Sequence, residues 1–370
     1  MSKGLVIAGG GHAHMLTLAH LEEFVDKGFK VTVIGPDSHH YYSGMGPGML
    51  GGTYSPEEIR FATQELVEKK GAVFLQAKVI SVDPVKQIVA LDTGEEVPYD
   101  VLSCNLGSQV PDDLVQGELE DIFPVKPIER LYKARQRVLE LGRKGKIRIA
   151  VLGGGPSAVE VAGNIWRLGQ EAGMKPPEIT LFAGRSLMPH HSSGVRRRAE
   201  SSLTARSIRI ITDNRVQEIQ TGQITDSQGL AHNVDIIFVA VGVRPNKVIA
   251  ESGIPTGPQG GMLVNRFLHS VKYKNIFGGG DCIDFEERPL DKVGVYAVRQ
   301  NPVLRHNLMA ALTGEPLQSF APGGKYLLIF NLGNGTGILS KWSIVFGGRL
   351  AFLVKDWIDR RFMRSFQAYE

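Results

Sequence analysis

The 370-residue sequence predicts an α/β fold of two similar three-layer units, the second set into the first, with a small α+β tail. Three observations carry that expectation. A short apolar run that ends on glycines and opens a helical pattern occurs twice, at residues 5–24 and 146–168. Each is followed by a second strand-like run, at 30–34 and 178–182, which completes a strand–helix–strand unit of about 30 residues. A third run, Ile276-Phe277-Gly278-Gly279-Gly280-Asp281, ends on glycine and acid and has no slot left in the second unit.

In chain order, 5–8 is a strand, Gly9-Gly10-Gly11 a turn and 13–24 a helix by its apolar spacing. Runs at 77–82, 87–91 and 101–106 follow, closing on Gly107. The second unit repeats the order, with 146–152, Gly153-Gly154-Gly155, a helix over 156–168, and runs at 208–211, 215–220 and 234–241 closing on Gly242. The simplest account is a tandem duplication interrupted by insertion. It places one domain at 1–112 and 265–320, a second at 113–264, and a tail at 321–370. Residues 111–146, with an amphipathic helix near 128–141, form the crossover.

Composition narrows the function classes. Apolar residues make up 42% and charged residues 22%, which excludes a disordered or fibrous chain. A net charge of +4 is too small to argue for nucleic acid. Glycine is the outlier, 44 residues or about 12% against about 7% in typical chains. Two cysteines, Cys104 and Cys282, exclude a disulfide framework and a thiolate-rich zinc site. The pairs His39-His40 and His190-His191 lack a third ligand at recognisable spacing, so no metal is expected. With no apolar run near 18 residues, the expectation is a cytoplasmic protein, with peripheral membrane contact left open.

A strand running into glycines at a helix start lets backbone approach a pyrophosphate while the helix N-terminus supplies partial positive charge. Gly153, Gly155 and Ala158 fit G-x-G-x-x-A, with Pro156 and Ser157 opening the helix. Gly9 and Gly11 fit the first two positions of the other turn, but His14 occupies the third and His12 lies between. The acid that accepts a ribose 2′-hydroxyl is missing from both units. Gly35 stands there first, with Asp37 nearby; Ala183 stands there second, with Arg185 nearby. An arginine can pair a 2′-phosphate, which leans towards NADPH, or Arg185 is a solvated surface charge.

The turns, with Asn105-Leu106-Gly107-Ser108, the run 240–246 and Asn275 to Asp281, resemble the two-dinucleotide-binding-domain flavoproteins of the pyridine nucleotide-disulfide oxidoreductase superfamily. The resemblance covers residues 1 to about 320 and is strongest to type II NADH dehydrogenase-like proteins. More narrowly, Gly10-Gly11-His12-Ala13-His14, Tyr42-Ser43-Gly44-Met45, Pro47-Gly48, Ala297-Val298-Arg299-Gln300 and residues 356–362 are similar to the flavoprotein domain fused to selenophosphate synthetase in some bacteria.

That resemblance implies FAD in the first domain, at Gly9, Gly11, His12, Ala13, His14, Asp37, Met45, Val79, Asn105, Gly107, Gly280, Asp281, Gly294 and Val295. It implies NAD(P)H in the second, at Gly153, Gly155, Pro156, Ser157, Arg185 and Gly242. Pro47 would pack on the flavin and Glu160 would stand near the nicotinamide, as the catalytic pair. The implied activity is an FAD-dependent NAD(P)H dehydrogenase passing electrons to a quinone or another acceptor. Alternatives are oxidation of a sulfur or selenium species, with Cys282 involved, and a redox-responsive binding module. Cys104 and Cys282 are too far apart in sequence for the paired cysteines of disulfide reductases.

In the tail, Leu350, Leu353, Val354, Trp357 and Ile358 make an apolar helical stripe, with Lys355, Asp356 and Asp359 on the other side. Arg361 and Arg364 continue the stripe with positive charge. Such a helix suits an anionic membrane surface, a packing role or a homodimer contact.

Overall fold

Residues 2–111 and 120–370 are described in a computed structural model. The first apolar run forms β1 (Gly4–Ala8), whose Leu5 to Ala8 are all buried, as a strand covered on both faces requires. It pairs in parallel with β2 (Lys30–Gly35) on one side. On the other side lies β4 (Val101–Cys104). β3 (Val73–Gln76) extends the sheet beyond β2. The second unit builds β5 (Ile122–Pro124), β6 (Arg148–Leu152), β7 (Glu178–Phe182), β8 (Arg209–Ile211) and β9 (Ile236–Val239), also all parallel. β10 (Ile276–Gly278) returns to pair with β4. The orders are therefore β10-β4-β1-β2-β3 and β5-β9-β6-β7-β8, the same winding twice.

Each parallel sheet carries a three-stranded antiparallel sheet, formed by Val79–Asp83, Ile88–Leu91 and Glu96–Pro98 in one case. In the other it is formed by Val216–Gln220, Gln223–Asp226 and Ala231–Asn233. The helices that matter for the site are α1 (Met15–Ala19), α2 (Glu129–Lys144), α3 (Pro156–Glu171), α4 (Gly294–Thr313) and α5 (Arg349–Gln367). Leu328–Asn331, Gly337–Lys341 and Ile344–Gly348 form an antiparallel sheet between α4 and α5. The core of the second unit also takes in Met45, Met49 and Phe61 from the first unit and Phe330, Ile338 and Met363 from the tail. Three segments distant in sequence thus meet over α3.

Several expectations need correction. The helix expected over 13–24 is two short helices, because the first starts only at Met15 and His20 leaves the helical region. The counterpart of Arg209–Ile211 is Val73–Gln76, a strand too short and too exposed to stand out, rather than the run from 77. Ile122–Pro124, read as crossover, is an edge strand, where its proline needs no ladder donor. The boundary between 112 and 113 falls outside the described residues.

Candidate active site

The first glycine turn is built by close approach. Gly9 holds φ +94° and Gly11 lies so near Asn105 that a Cβ there would stand 2.7 Å from Asn105 Nδ2. The third position, small in most such turns, is the buried His14. Its Nδ1 lies 2.6 Å from the Gly9 carbonyl, which can only accept, so Nδ1 carries the proton. Its Nε2 then accepts from Ser103 Oγ at 2.7 Å. The imidazole clamps the turn to β4, and burial holds its pKa down to about 4.

His12, also buried, is pushed to about 3 by burial, with His40 and Lys126 adding to the effect. Its ring stacks on Phe362 at 6.0 Å and lies 5.2 Å from Tyr42. Its Nδ1 is 3.4 Å from His40 Nε2, and its Nε2 has no hydrogen-bond partner among the described residues. The same holds for the buried Asn105 Nδ2. Asn301, on α4, donates to the His12 carbonyl at 2.9 Å, and the α4 residue Gly294 faces the His12 ring. Gly280 N–H donates to Gln300, and Asp281 follows. Burial opposes ionisation of Asp281, but Lys126 Nζ and Ser108 Oγ, each 2.6 Å away, hold its carboxyl below the usual range.

The loop after β2 is wedged between elements. Met45 and Pro47 are buried in it. A Cβ on Gly46 would press on Ile128, and one on Gly51 would meet Asn164 of α3. Beneath this loop stands Glu160, which keeps a partly accessible edge but is ringed by protein. Burial pushes its carboxyl up to about 7, against the pull of Lys355. Its Oε1 accepts the Asn331 N–H at 2.7 Å. Lys355 Nζ donates to the Gly44 carbonyl at 2.7 Å and to Asp359 Oδ2 at 2.6 Å. Tyr42 OH donates to Asp359 Oδ1 at 3.0 Å. One buried acid–base cluster therefore joins the first unit, α3 and α5.

At the second turn, Gly153 holds φ +132° and abuts the Ala240 carbonyl. Gly155 is the N-cap of α3, with no side-chain cap and open space where a Cβ would stand; Pro156 follows at the first helical position. Ser157 and Arg185 are exposed, and Gly242 holds φ +106° beside open space.

The structure thus gathers Gly9, Gly11, His12, Ala13, His14, Asn105, Gly280, Asp281 and Gly294 around the first turn. Gly107 stands beside Ser108, and Val295 follows Gly294 in the first turn of α4. Gly153, Gly155, Pro156, Ser157, Gly242 and Arg185 surround the second turn. Asp37 caps its own loop through the His39 N–H at 3.1 Å, and Val79 opens the outer sheet; no hydrogen bond joins either to the turn among the described residues. Sequence reasoning missed Tyr42, Ser103, Lys126, Asn331, Lys355 and Asp359 as site residues. Tyr42 and Asp359 lie in segments that carry the family resemblance, and the (i, i+4) Lys355–Asp359 spacing is a further signal for part of this set. Cys282 is fully buried, its Sγ 3.3 Å from the Cys104 and Gly279 carbonyls, and burial pushes its thiol up to about 11.

Residues 3–307 match the pyridine nucleotide-disulphide oxidoreductase family. The demethylphylloquinone reductase NdbB of Synechocystis sp. is 30% identical over 305 residues, covering 79% of this chain and 74% of that protein. The type II NADH:quinone oxidoreductase of Staphylococcus aureus is 24% identical, covering 97% and 94%. Among solved structures, NDH2 from Plasmodium falciparum in complex with NADH superposes with a TM-score of 0.80 at 15% identity, covering 99% of this chain and 97% of that one. The two parallel sheets, the paired glycine turns and these matches make the chain a member of the pyridine nucleotide-disulphide oxidoreductase family.

Proposed function

We propose that the chain is an FAD-dependent NAD(P)H dehydrogenase that passes electrons to a quinone. The single observation that carries the acceptor side is the buried Glu160–Lys355–Asp359 cluster, because reducing a quinone to a quinol takes two protons as well as two electrons. The relatives named as quinone reductases support the same reading.

The residues of the first turn fit FAD. Two buried polar atoms there, Asn105 Nδ2 and His12 Nε2, have no hydrogen-bond partner among the described residues. The long helix α4 starts uncapped towards the same place, where its dipole favours negative charge. Gly9, Gly11, Gly280 and Asp281 would hold the dinucleotide, and Gly153, Gly155 and the α3 N-terminus would hold NAD(P)H. FAD, when bound, supplies the hydride acceptor and electron donor that no side chain of this chain provides.

The chain's own residues do the rest. Asp281, kept ionised by Lys126 and Ser108, is an acceptor for ribityl hydroxyls. His14 fixes the turn from behind. The loop carrying Met45 and Pro47 shields the site from water. Glu160, raised to about 7, is close to half protonated at neutral pH, and with Oε1 occupied by the Asn331 N–H the proton sits on Oε2, poised for delivery. Lys355, held charged by its acidic neighbours in spite of burial, orients an acceptor oxygen and steadies negative charge on it, and the second proton is drawn from solvent.

The outer face of α5 gives the acceptor its setting. Leu350 is 71%, Leu353 56% and Trp357 57% exposed, and Trp342 and Ile344 from the adjoining hairpin extend the patch. Arg361 lies over Trp357 and Lys341 over Trp342. Among the described residues no helix is long and apolar enough to cross a membrane. An apolar patch ringed by cations suits the surface of an anionic bilayer, where lipid-soluble quinones reside. A sulfur-oxidising role gains no support from Cys282, a protonated thiol sealed in the core.

The test is anaerobic titration of the flavin-loaded protein with NADH and NADPH, followed by a soluble quinone. Bleaching by a reduced nucleotide and recovery by quinone is the expected result. A bound flavin untouched by both nucleotides overturns the reading. Sedimentation with anionic vesicles checks the surface; a concentration-dependent dimer without vesicle binding would assign the patch to a second copy instead.

A further inference from the structure

The sequence leaves the choice between NADH and NADPH open, and the structure adds observations that bear on it. In a dinucleotide fold the ribose 2′ position falls at the end of the strand after the glycine helix, where an acid accepts a hydroxyl and an arginine accepts a phosphate. That strand is β7, and the buried residue after it is Ala183. The loop beyond is packed on the second glycine turn. Met188 N–H donates to the Gly154 carbonyl at 2.6 Å, and a Cβ on Gly154 would stand 2.6 Å from the Ala183 carbonyl. A nucleotide seated at Gly153–Gly155 therefore lays its ribose against residues 183–186.

Two arginines lie at this loop from different strands. Arg185 is in the loop itself. Arg215 is brought to it by a bridge between Gly184 and Asn214, in which the Asn214 N–H donates to the Gly184 carbonyl at 3.1 Å. Arg215 Cγ stands 3.9 Å from where a Gly184 Cβ would be. Both side chains are exposed, and neither has a carboxylate partner among the described residues.

The backbone of Arg215 is fixed twice by Ser227, whose Oγ accepts from its N–H at 3.2 Å and whose N–H donates to its carbonyl at 2.7 Å. Asn214 is buried and donates to Asp226 Oδ2 at 2.7 Å while its Oδ1 accepts from Ser227 Oγ at 2.8 Å. His232 Nε2 lies 2.8 Å from the same Asp226 oxygen, and its ring meets Phe182, the last residue of β7, edge-on at 5.0 Å. Asp226 Oδ1 also accepts the Gln228 and Leu230 N–H groups at 2.9 and 3.0 Å, which closes the turn they span. The network as a whole fastens the Arg215 segment to the end of β7.

We propose that Arg185 and Arg215 bind the 2′-phosphate of NADPH, that NADPH is the preferred donor, and that Asn214, held by Asp226 and Ser227, positions Arg215. The proposal rests on the reading of the second unit as the donor site. Two guanidinium groups converging on one phosphate make charge-assisted hydrogen bonds that a hydroxyl cannot match.

Calorimetric titration of the flavin-loaded protein with 2′,5′-ADP and with 5′-ADP tests it, alongside NADPH and NADH turnover. The wild type is expected to bind 2′,5′-ADP at least about tenfold more tightly, a difference the strength of charge-assisted bonds supports. Arg185→Ala and Arg215→Ala each remove most of that preference and weaken 5′-ADP far less than 2′,5′-ADP. Asn214→Ala does the same, whereas a general structural role for Asn214 would weaken both ligands together. Equal or reversed affinity of the wild type for the two nucleotides, with NADH oxidation intact, overturns this inference alone. Failure of both nucleotides to bind overturns the donor site and the inference with it.

Discussion

Helices α3 and α5 are both amphipathic, and they bury opposite kinds of face. α3 turns Val159, Val161, Ala162, Ile165 and Leu168 inward against β6 and its neighbours. α5 turns Lys355 and Asp359 inward, with Ala351 and Met363, and leaves Leu350, Leu353 and Trp357 outside. The apolar stripe and its charged opposite face are visible in the sequence of α5, but periodicity does not state which face is inside. That is decided by the neighbour. α3 meets apolar strands, whereas α5 meets the Gly44 carbonyl, Tyr42 OH and Glu160, which call for charged partners. The two helices face each other across a shared cluster, one supplying the acid and the other the cation.

The comparison can be broken at four points. Lys355→Met leaves Asp359 and Glu160 without their buried cation and is expected to cost about 3 to 5 kcal/mol of stability. Denaturant unfolding reads the loss, and the double variant Lys355→Met/Asp359→Leu should recover much of it. On the other helix, Leu168→Ala opens a cavity in an ordinary core and costs about 2 to 5 kcal/mol.

Glu160→Gln keeps the shape and removes the proton. Quinone reduction is expected to fall about 100-fold or more, while flavin reduction by NAD(P)H is kept. The pH dependence gives the sign. With its carboxyl raised from 4.5 to about 7, Glu160 offers a proton below pH 7 and loses it above, so quinone turnover falls as pH rises through 7. Between those values the folded protein holds a proton that the unfolded chain has released, so Glu160 lowers stability as pH rises across that window, and the glutamine variant removes the slope. Stopped-flow rates and pH-dependent unfolding check the two halves. The smallest effect on folding is expected from Leu353→Ser, within about 0.5 kcal/mol at an exposed site. Vesicle sedimentation should nevertheless fall, and turnover with a soluble quinone should stay.

Much of the frame was legible in the sequence because parallel strands buried on both faces leave continuous apolar runs, as at 5–8 and 149–152. β3 was not legible: Val73 is exposed at the sheet edge and only three of its four residues are apolar. The glycine turns were legible because their geometry is local, whereas Asp281 entered through the family resemblance. Lys126, Tyr42 and Asn331 were not legible, because each reaches the site through a contact spanning more than 150 residues or through a main-chain donor that no residue type advertises. Lys355 was read as facing away from the stripe, which is right, and its burial follows only from what lies opposite.

The histidine clamp behind the first turn also sets an acid limit on the molecule. His14 and its neighbours His12 and His40 are held neutral inside the fold, at about 4, 3 and 4, against 6.5 in an unfolded chain. Between pH 6.5 and 4 the unfolded chain takes up protons that the folded one refuses, so stability drains away as pH falls through that interval, at up to about 1.4 kcal/mol per group for each pH unit. An imidazolium at His14 could no longer accept from Ser103 Oγ. Acidification to about pH 4 therefore undoes the clamp behind the segment on which the dinucleotide would rest, so acid treatment is expected to yield apoprotein without denaturant.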